Sequence, residues 1–500
     1  MCKMRARIAL ILRAGCSKGG RMYTNGVRWV RSRFRCFSLL RSVLLLVSLV
    51  LASSGCRQSA PSAFPTTITL MDWLDREYQD PRNQEISEFT HETGIHVKVL
   101  PSPEGPVEQL AMWKSLLGSG AQIPDVYAVD VIWPKILADN LIDLKDYVPA
   151  QEIAAHSPDL VANNTVDGRV VALPYNVEVG LLYYRTDLLR RYGFRSPPRT
   201  WDELEIMAAR IQQGERTKGH KSFWGFIWQG APDEVLTCNA LEWQESQGGG
   251  AIIDDGRITV DNPETVRAWE RAARWVGSIS PGGVLAYHEW DTQNIWKAGG
   301  AAFMRSWNGL PGPYHLGPSE TASVDANNYD FAPLPAGKGG SVSTFGGHGY
   351  AVSKYSAQVE AAVKLVRYLS RRDTELKRLR TYSGVPTIPD LYQDPGVRAA
   401  TPYLESVQKV YKETFAARPS AVTGKKYPEV SRAYFEAVHS VLTRQKTAAD
   451  AAGNLREQLA RITGFEAQSP DPSRLTKRKL AGAAAGPHGF VQAAMSSSAP

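Results

Sequence analysis

Residues 124–130, PDVYAVD, form a short apolar run that ends on a carboxylate, and residues 68–72, ITLMD, do the same, with Trp73 next. Runs this short, rich in β-branched and aromatic residues, read as buried strands rather than helices. Val97–Leu100 reads as a third strand, and Asn83–His91 and Glu108–Leu117 between the strands carry helical patterning. Strands alternating with helices imply an α/β architecture with largely parallel sheets. In such sheets ligands bind beyond the carboxyl ends of the strands, near the point where strand order reverses. Trp73, Glu77, Asp130 and Trp133 follow those strand ends and are candidate cleft residues on that ground.

Two further helices have clear signals. Thr200 and Glu203 make a capping box ahead of Leu204, Met207, Ala208 and Ile211 at helical spacing. SAQVEAAVKLVRYLSRR, residues 356–372, puts Val359, Ala362, Val363, Val366 and Leu369 on one face. No internal repeat is visible.

The chain has 500 residues, enough for two or three domains, with 43 % hydrophobic and 22 % charged residues, a globular composition. Its formal charge of +8 is misleading. Of the 58 Lys/Arg, eleven lie in residues 1–55, which hold no Asp or Glu; the other 47 face 50 acidic residues. A nucleic-acid binder keeps its basic patch on the folded domain, so no nucleic-acid partner is expected.

Residues 1–55 read as a secretory signal peptide: Arg28, Arg31, Arg33, Arg35 and Arg41, then apolar Ser42–Ala52, then Ser53, Ser54 and Gly55. The segment before the apolar run is long for a signal, so translation starting at Met22 is an alternative to Met1. Cys56 follows the small residues in a pattern that resembles a bacterial lipobox, with Ser53 where Leu is usual. Cys56 is thus expected to carry a lipid anchor; an ordinary signal peptide with an incidental cysteine is the alternative. Beyond the signal only Cys56 and Cys238 remain, which leaves no disulfide framework. Residues 56–65 read as a tether and 467–500 as a disordered tail, leaving a folded body over 66–466.

Enzyme signatures are sparse. There is no GxSxG, HExxH, CxxC or Walker loop, and the nine histidines lack metal-ligand spacing, so no cofactor or metal is expected. A hidden carboxylate pair of the glycosidase kind stays open. Twelve tryptophans lie beyond the signal. Aromatic planes stack on the C–H faces of sugar rings, while hydroxyls need carboxylates, amides and Arg. Trp201, Trp224, Trp269 and Trp275 are assigned to the core.

Six blocks, in order, carry a resemblance: IPDVYAVDVIWPKILADNLIDL (123–144), LPYNVEVGLLYYRTDLLRRYGFRSPPRTWDEL (173–204), FWGFIWQG (223–230), GGAAFMRSWNG (299–309), FGGHGYAVSKYS (345–356) and RPSAVTGKKYPEVS (418–431). Together they resemble family 1 extracellular solute-binding proteins of bacterial ABC importers, the trehalose/maltose-type branch above all. The resemblance implies a two-lobed periplasmic-binding-protein (type II) α/β fold with a hinge and an interlobe ligand cleft. Lobe 1 would take 66–176 plus 347–396, and lobe 2 would take 177–345 plus 397–466. It also implies a monomeric, lipid-anchored exported protein that captures a di- or oligosaccharide such as trehalose, maltose or sucrose for importer permease subunits, with no catalysis.

By the same resemblance, Asp130 stands where the family places an acceptor for sugar hydroxyls, and Glu178 where relatives often have Asp. Asn176 stands where some carry Tyr, Trp307 at the stacking tryptophan, and Gly346 and Gly347 where backbone approaches ligand. His348 departs from a usual Trp, and Arg418 matches an Arg that reaches into the cleft. Each has a plainer use: Asp130 as a helix cap, Arg418 as a surface ion pair, Trp307 as core. A glycerophosphodiester or other polar solute, a secreted carbohydrate-active enzyme, and a surface interaction protein on the same fold remain the alternatives.

Overall fold

A computed structural model describes residues 66–72, 81–103, 105–308, 328–381, 385–401 and 415–468, with positions 404 and 407. The signal peptide over 1–55, Cys56, the tether to residue 65, Trp73, Glu77 and the tail beyond residue 468 lie outside the described residues. Pairing reaches into the stretch expected to be disordered, since Glu466–Ala467 runs parallel to Arg257–Ile258. No described helix is long and apolar enough to cross a membrane.

Thr67–Met71 lies between His96–Leu100 and Val126–Asp130 and is parallel to both. Four of its five residues are buried, as its apolar run demands. Asp125 pins this register: its Oδ2 accepts from Thr69 N at 2.7 Å and from Thr69 Oγ1 at 2.6 Å. The connecting helices are Pro81–Thr93 and Pro106–Gly118.

Two longer strands complete the architecture. Ser343–Val352 inserts antiparallel between Val126–Asp130 and the first half of Leu173–Arg185. The second half of Leu173–Arg185 pairs antiparallel with Ala301–Trp307 and with Tyr329–Ala332, and Trp224–Ile227 continues the sheet parallel to Ala301–Trp307. The sheet is therefore mixed, not largely parallel. The parallel pairs sit toward its outer parts; the two long strands run antiparallel to each other, Ser343–Val352 opposing Val126–Asp130 and Leu173–Arg185 opposing Ala301–Trp307.

Each half has its own apolar core. One gathers Ile68, Leu70, Val126, Ala128, Tyr350 and the buried face of helix Val359–Ser370. The other gathers Trp201, Leu204, Trp243, Trp269, Phe303, Tyr434 and Leu455. Trp201, Trp269 and Trp275 are at most 2 % exposed, as expected of core residues. Trp224 differs: it is only partly buried and lies under the Arg216 guanidinium, 4.2 Å from its ring centroid. At the start of helix Trp201–Thr217, Thr200 accepts from Glu203 N, but the Glu203 carboxylate turns to Arg199 N, so half of the capping box forms. The helix expected from residue 356 starts at Val359; Ser356 lies ahead of it, its Oγ donating to Asp125 Oδ1 at 2.5 Å and accepting from Gln358 N.

Candidate ligand site at the crossing strands

Strand register sets the site. His348 lies opposite Asp130 on one side and Asn176 on the other, Gly347 opposite Val177, and Gly346 opposite Glu178. Asn176 links them: its Oδ1 accepts from His348 N at 2.7 Å and its Nδ2 donates to Glu178 Oε1 at 3.0 Å. Gly347 is required, and Gly346 keeps room for the Trp307 ring. A Cβ on Gly347 would fall 2.4 Å from Asn176 O, and its φ of +125° is strained for any L side chain. A Cβ on Gly346 would press on the Trp307 ring at 3.2 Å.

Trp307 ends the strand Ala301–Trp307 and is partly exposed. Its Nε1 makes a long 3.4 Å contact to Glu289 Oε1, its carbonyl accepts from Tyr183 OH at 2.9 Å, and the Arg305 guanidinium lies 4.0 Å from its ring centroid. The fully core reading of Trp307 therefore fails.

Asp130 does cap the turn after its strand, accepting from Ile132 N at 3.0 Å, yet its Oδ1 also faces Arg418 Nη2 at 3.4 Å. Arg418 is not a surface ion pair, since its side chain is 3 % exposed. It donates to Glu234 Oε1 at 2.9 Å and to Phe345 O at 3.0 Å. Glu234 is further held by Tyr427 OH and Ser431 Oγ.

Burial raises the Glu178 pKa to about 7; Asp130 and Glu289 add to the rise and Arg82 opposes it. Burial also raises Asp130, against Arg418. His348 is lowered by burial, with Arg82 and Arg418 adding to the effect. Its imidazole is thus neutral at pH 7, and the 4.0 Å approach to Asp130 is no ion pair.

Trp133 is a correction. It is 2 % exposed and packs edge-on to Trp113 at 6.0 Å, so it belongs to the core beneath the strand ends. Asp72 at the other strand end is spent structurally, on Arg82 at 2.8 Å and Tyr350 OH at 2.7 Å.

Sequence reasoning missed Glu234, Glu289, Asp233 and His288. The only local sign was Asp233, which caps helix Glu234–Gln247. Each of two adjacent pairs splits its work. Glu234 and Glu289 turn to Arg418 and Trp307, whereas Asp233 and His288 line a neighbouring cleft of about 580 Å³ with Val107, Glu108, Phe435 and His439. His288 Nδ1 is 3.5 Å from Asp233 Oδ2, and burial raises Asp233 to about 6. Among the described residues no group of three or more His, Cys, Asp or Glu could hold a metal ion.

A mixed sheet whose two long strands run between two α/β halves is the fold of type II periplasmic binding proteins. The chain belongs to the bacterial extracellular solute-binding protein family, whose model matches residues 76–375. It is 43 % identical over 378 residues to a probable ABC transporter-binding protein of Deinococcus radiodurans, covering 75 % of this chain and 89 % of that one. It is 26 % identical over 343 residues to the maltodextrin-binding protein of Bacillus subtilis, 66 % of this chain and 75 % of the relative. Among solved structures, maltose-bound MalE3 of T. maritima matches with a TM-score of 0.72 and 34 % identity, over 79 % of this chain and all of that one.

Proposed function

We propose that the protein captures a di- or oligosaccharide of the trehalose, maltose or sucrose kind between its lobes and delivers it, unaltered, to the permease of an ABC importer. Family membership implies export to the periplasm or the cell surface. Lipidation of Cys56 would hold the protein at the membrane. The maltodextrin-binding relative and maltose-bound MalE3 support a sugar.

The observation that carries the reading is the site at residues 176–178 and 346–348 with Trp307 alongside: hydroxyl acceptors around an apolar plate. In this reading Asp130 and Arg418 belong to opposite halves, and Arg418 Nη2 lies 3.4 Å from Asp130 Oδ1. A solute contacting both halves stabilises the closed state by its differential affinity, and the permease reads that state. An anionic solute is disfavoured. Asp130, Glu178, Glu234 and Glu289 gather there, and the Arg418 charge is already matched by Asp130 and Glu234.

Thermal unfolding of residues 66–468 with a panel of mono-, di- and oligosaccharides and glycerophosphodiesters tests this. A ligand that binds only the folded state adds about 2.7 kcal/mol at a hundred times its Kd. One sugar should raise the transition by several degrees with no product formed. A rise with a phosphodiester alone, or hydrolysis of the sugar, would replace the reading.

A further inference from the structure

We propose that Arg305 is a positioning residue for ligand binding: it holds the Trp307 indole in place from beneath and ties it to the second crossing strand. The inference rests on Trp307 being the ligand's plate.

Arg305 is 1 % exposed, and so is far from solvent for a guanidinium. A buried charge is costly, and a well-packed apolar pair often serves stability as well as a buried ion pair does. Its presence calls for a use beyond stability. Glu242, itself 0 % exposed, comes from helix Glu234–Gln247 and accepts from Arg305 Nε at 3.0 Å and Nη2 at 2.6 Å. Glu242 Oε1 also accepts from Thr344 N at 3.1 Å and Thr344 Oγ1 at 2.6 Å, and Arg305 Nη2 reaches Thr344 Oγ1 at 3.2 Å. Thr344 is two residues before Gly346 on the strand that carries Gly346, Gly347 and His348.

Glu242 and Thr344 hold the fork at Nε and Nη2, while the buried Nη1 has no hydrogen-bond partner. Across the sheet from Trp307 stands Gly180, where a Cβ would fall 2.3 Å from Glu242 Oε1 and 2.7 Å from Arg305 Nη2. Arg305 and Trp307 are two apart on one strand, so their side chains leave the same face. This puts the guanidinium carbon 4.0 Å from the indole centroid, in range for cation–π attraction. Glu289 at the indole Nε1 and Gly346 at the ring edge complete the fixing of its plane. A planar, delocalised cation held by Glu242 supports the ring with a charge and a fixed plane, both of which a Met of similar length lacks.

A double-mutant cycle separates positioning from general destabilisation. Maltose affinity is measured by calorimetry for wild type, Arg305→Met, Trp307→Ala and the double variant, each confirmed folded by its melting curve. Arg305→Met should weaken maltose binding at least tenfold with Trp307 present and less than twofold without it. Equal losses in both backgrounds would reduce Arg305 to a stability residue and overturn the inference. A readout free of any sugar is the fluorine spectrum of protein labelled with 5-fluorotryptophan. The resonance that Trp307→Phe removes should shift and broaden in ligand-free Arg305→Met; an unmoved resonance overturns the inference. Should Arg305→Met fail to fold, Thr344→Val, which removes a hydroxyl that holds the fork, goes through the same cycle. If wild-type protein binds no maltose, the maltose reading falls, and the fluorine spectrum alone decides the role of Arg305.

Discussion

Glu178 keeps its proton to about pH 7, because its place on the crossing strand buries it beside Asp130 and Glu289, with Arg82 opposing. A sugar hydroxyl donates best to the ionised carboxylate, so affinity should rise about tenfold from pH 6 to pH 8, as the ionised fraction does for a group titrating near 7. Glu178→Gln should flatten that profile, and calorimetry across the range checks it. Asp233, raised to about 6, titrates nearby, and the Gln variant isolates the Glu178 share. The folded-state pKa is raised, so this group's contribution to stability is full below about 4.5 and lost as pH climbs through 7. Glu178→Gln should therefore raise the melting temperature of the ligand-free protein at pH 8 and leave it unchanged at pH 4. At this scale the sequence was partly legible. The blocks around 176–178, 307, 346–348 and 418 led to residues that the register brings together. Glu289 and Glu234 were not legible, since a carboxylate becomes a site residue only when Trp307 and Arg418 arrive from 18 and 184 positions away. Trp133 was misread because a strand-end position does not say which way an indole turns.

Among elements, the helix Arg372–Thr381 has its most buried tie in Arg378, beside Lys377 to Glu88, Glu375 to Thr387 and Arg380 to Asp394. Arg378 donates to Glu85 Oε1 at 3.0 Å, to Tyr175 O at 2.9 Å, and lies 3.8 Å from the Tyr175 ring centroid. It thereby joins that helix to helix Pro81–Thr93 and to the first crossing strand. Glu85 is raised by burial, with Arg378 and Tyr175 opposing, so it depends on its partner to stay ionised. Arg378→Met leaves that carboxylate buried and uncompensated and should cost about 3–5 kcal/mol, read from urea unfolding midpoints. A loss under about 1 kcal/mol would mean that Glu85 simply takes a proton. Helical spacing marked helix Pro81–Thr93 to within a few residues, as Asn83–His91, but marked neither helix Arg372–Thr381 nor the strand Leu173–Arg185. The neighbours of a strand in the sheet were not readable. Ser343–Val352 wedges between strands more than 150 residues earlier in the chain, and no local pattern encodes such a pairing.

Across the whole molecule, Arg418 joins Asp130 at one strand end to Glu234 at a helix start and to the carbonyl of Phe345, and we propose that it ties the halves together. Arg418→Ala should loosen the ligand-free protein. Small-angle scattering should then give it a larger radius of gyration than wild type, while saturating sugar should shrink wild type. Identical radii would show that Arg418 does not hold the halves together. The two-lobed plan itself was legible only through the resemblance of whole blocks. Alternating strands and helices fix the α/β class but carry no mark of where a chain crosses between halves.

The thiol of Cys238 has a practical consequence. It is 1 % exposed on the helix that carries Glu234 and Glu242, and burial pushes it up to about 12. From residue 66 onward the chain has no other cysteine. In protein that begins at residue 66 a maleimide dye therefore finds no exposed thiol, and His288→Cys on the cleft wall, where the side chain is 41 % exposed, would be the handle. A protein built this way comes ready to be turned into an optical gauge of its own solute, with brightness reporting occupancy.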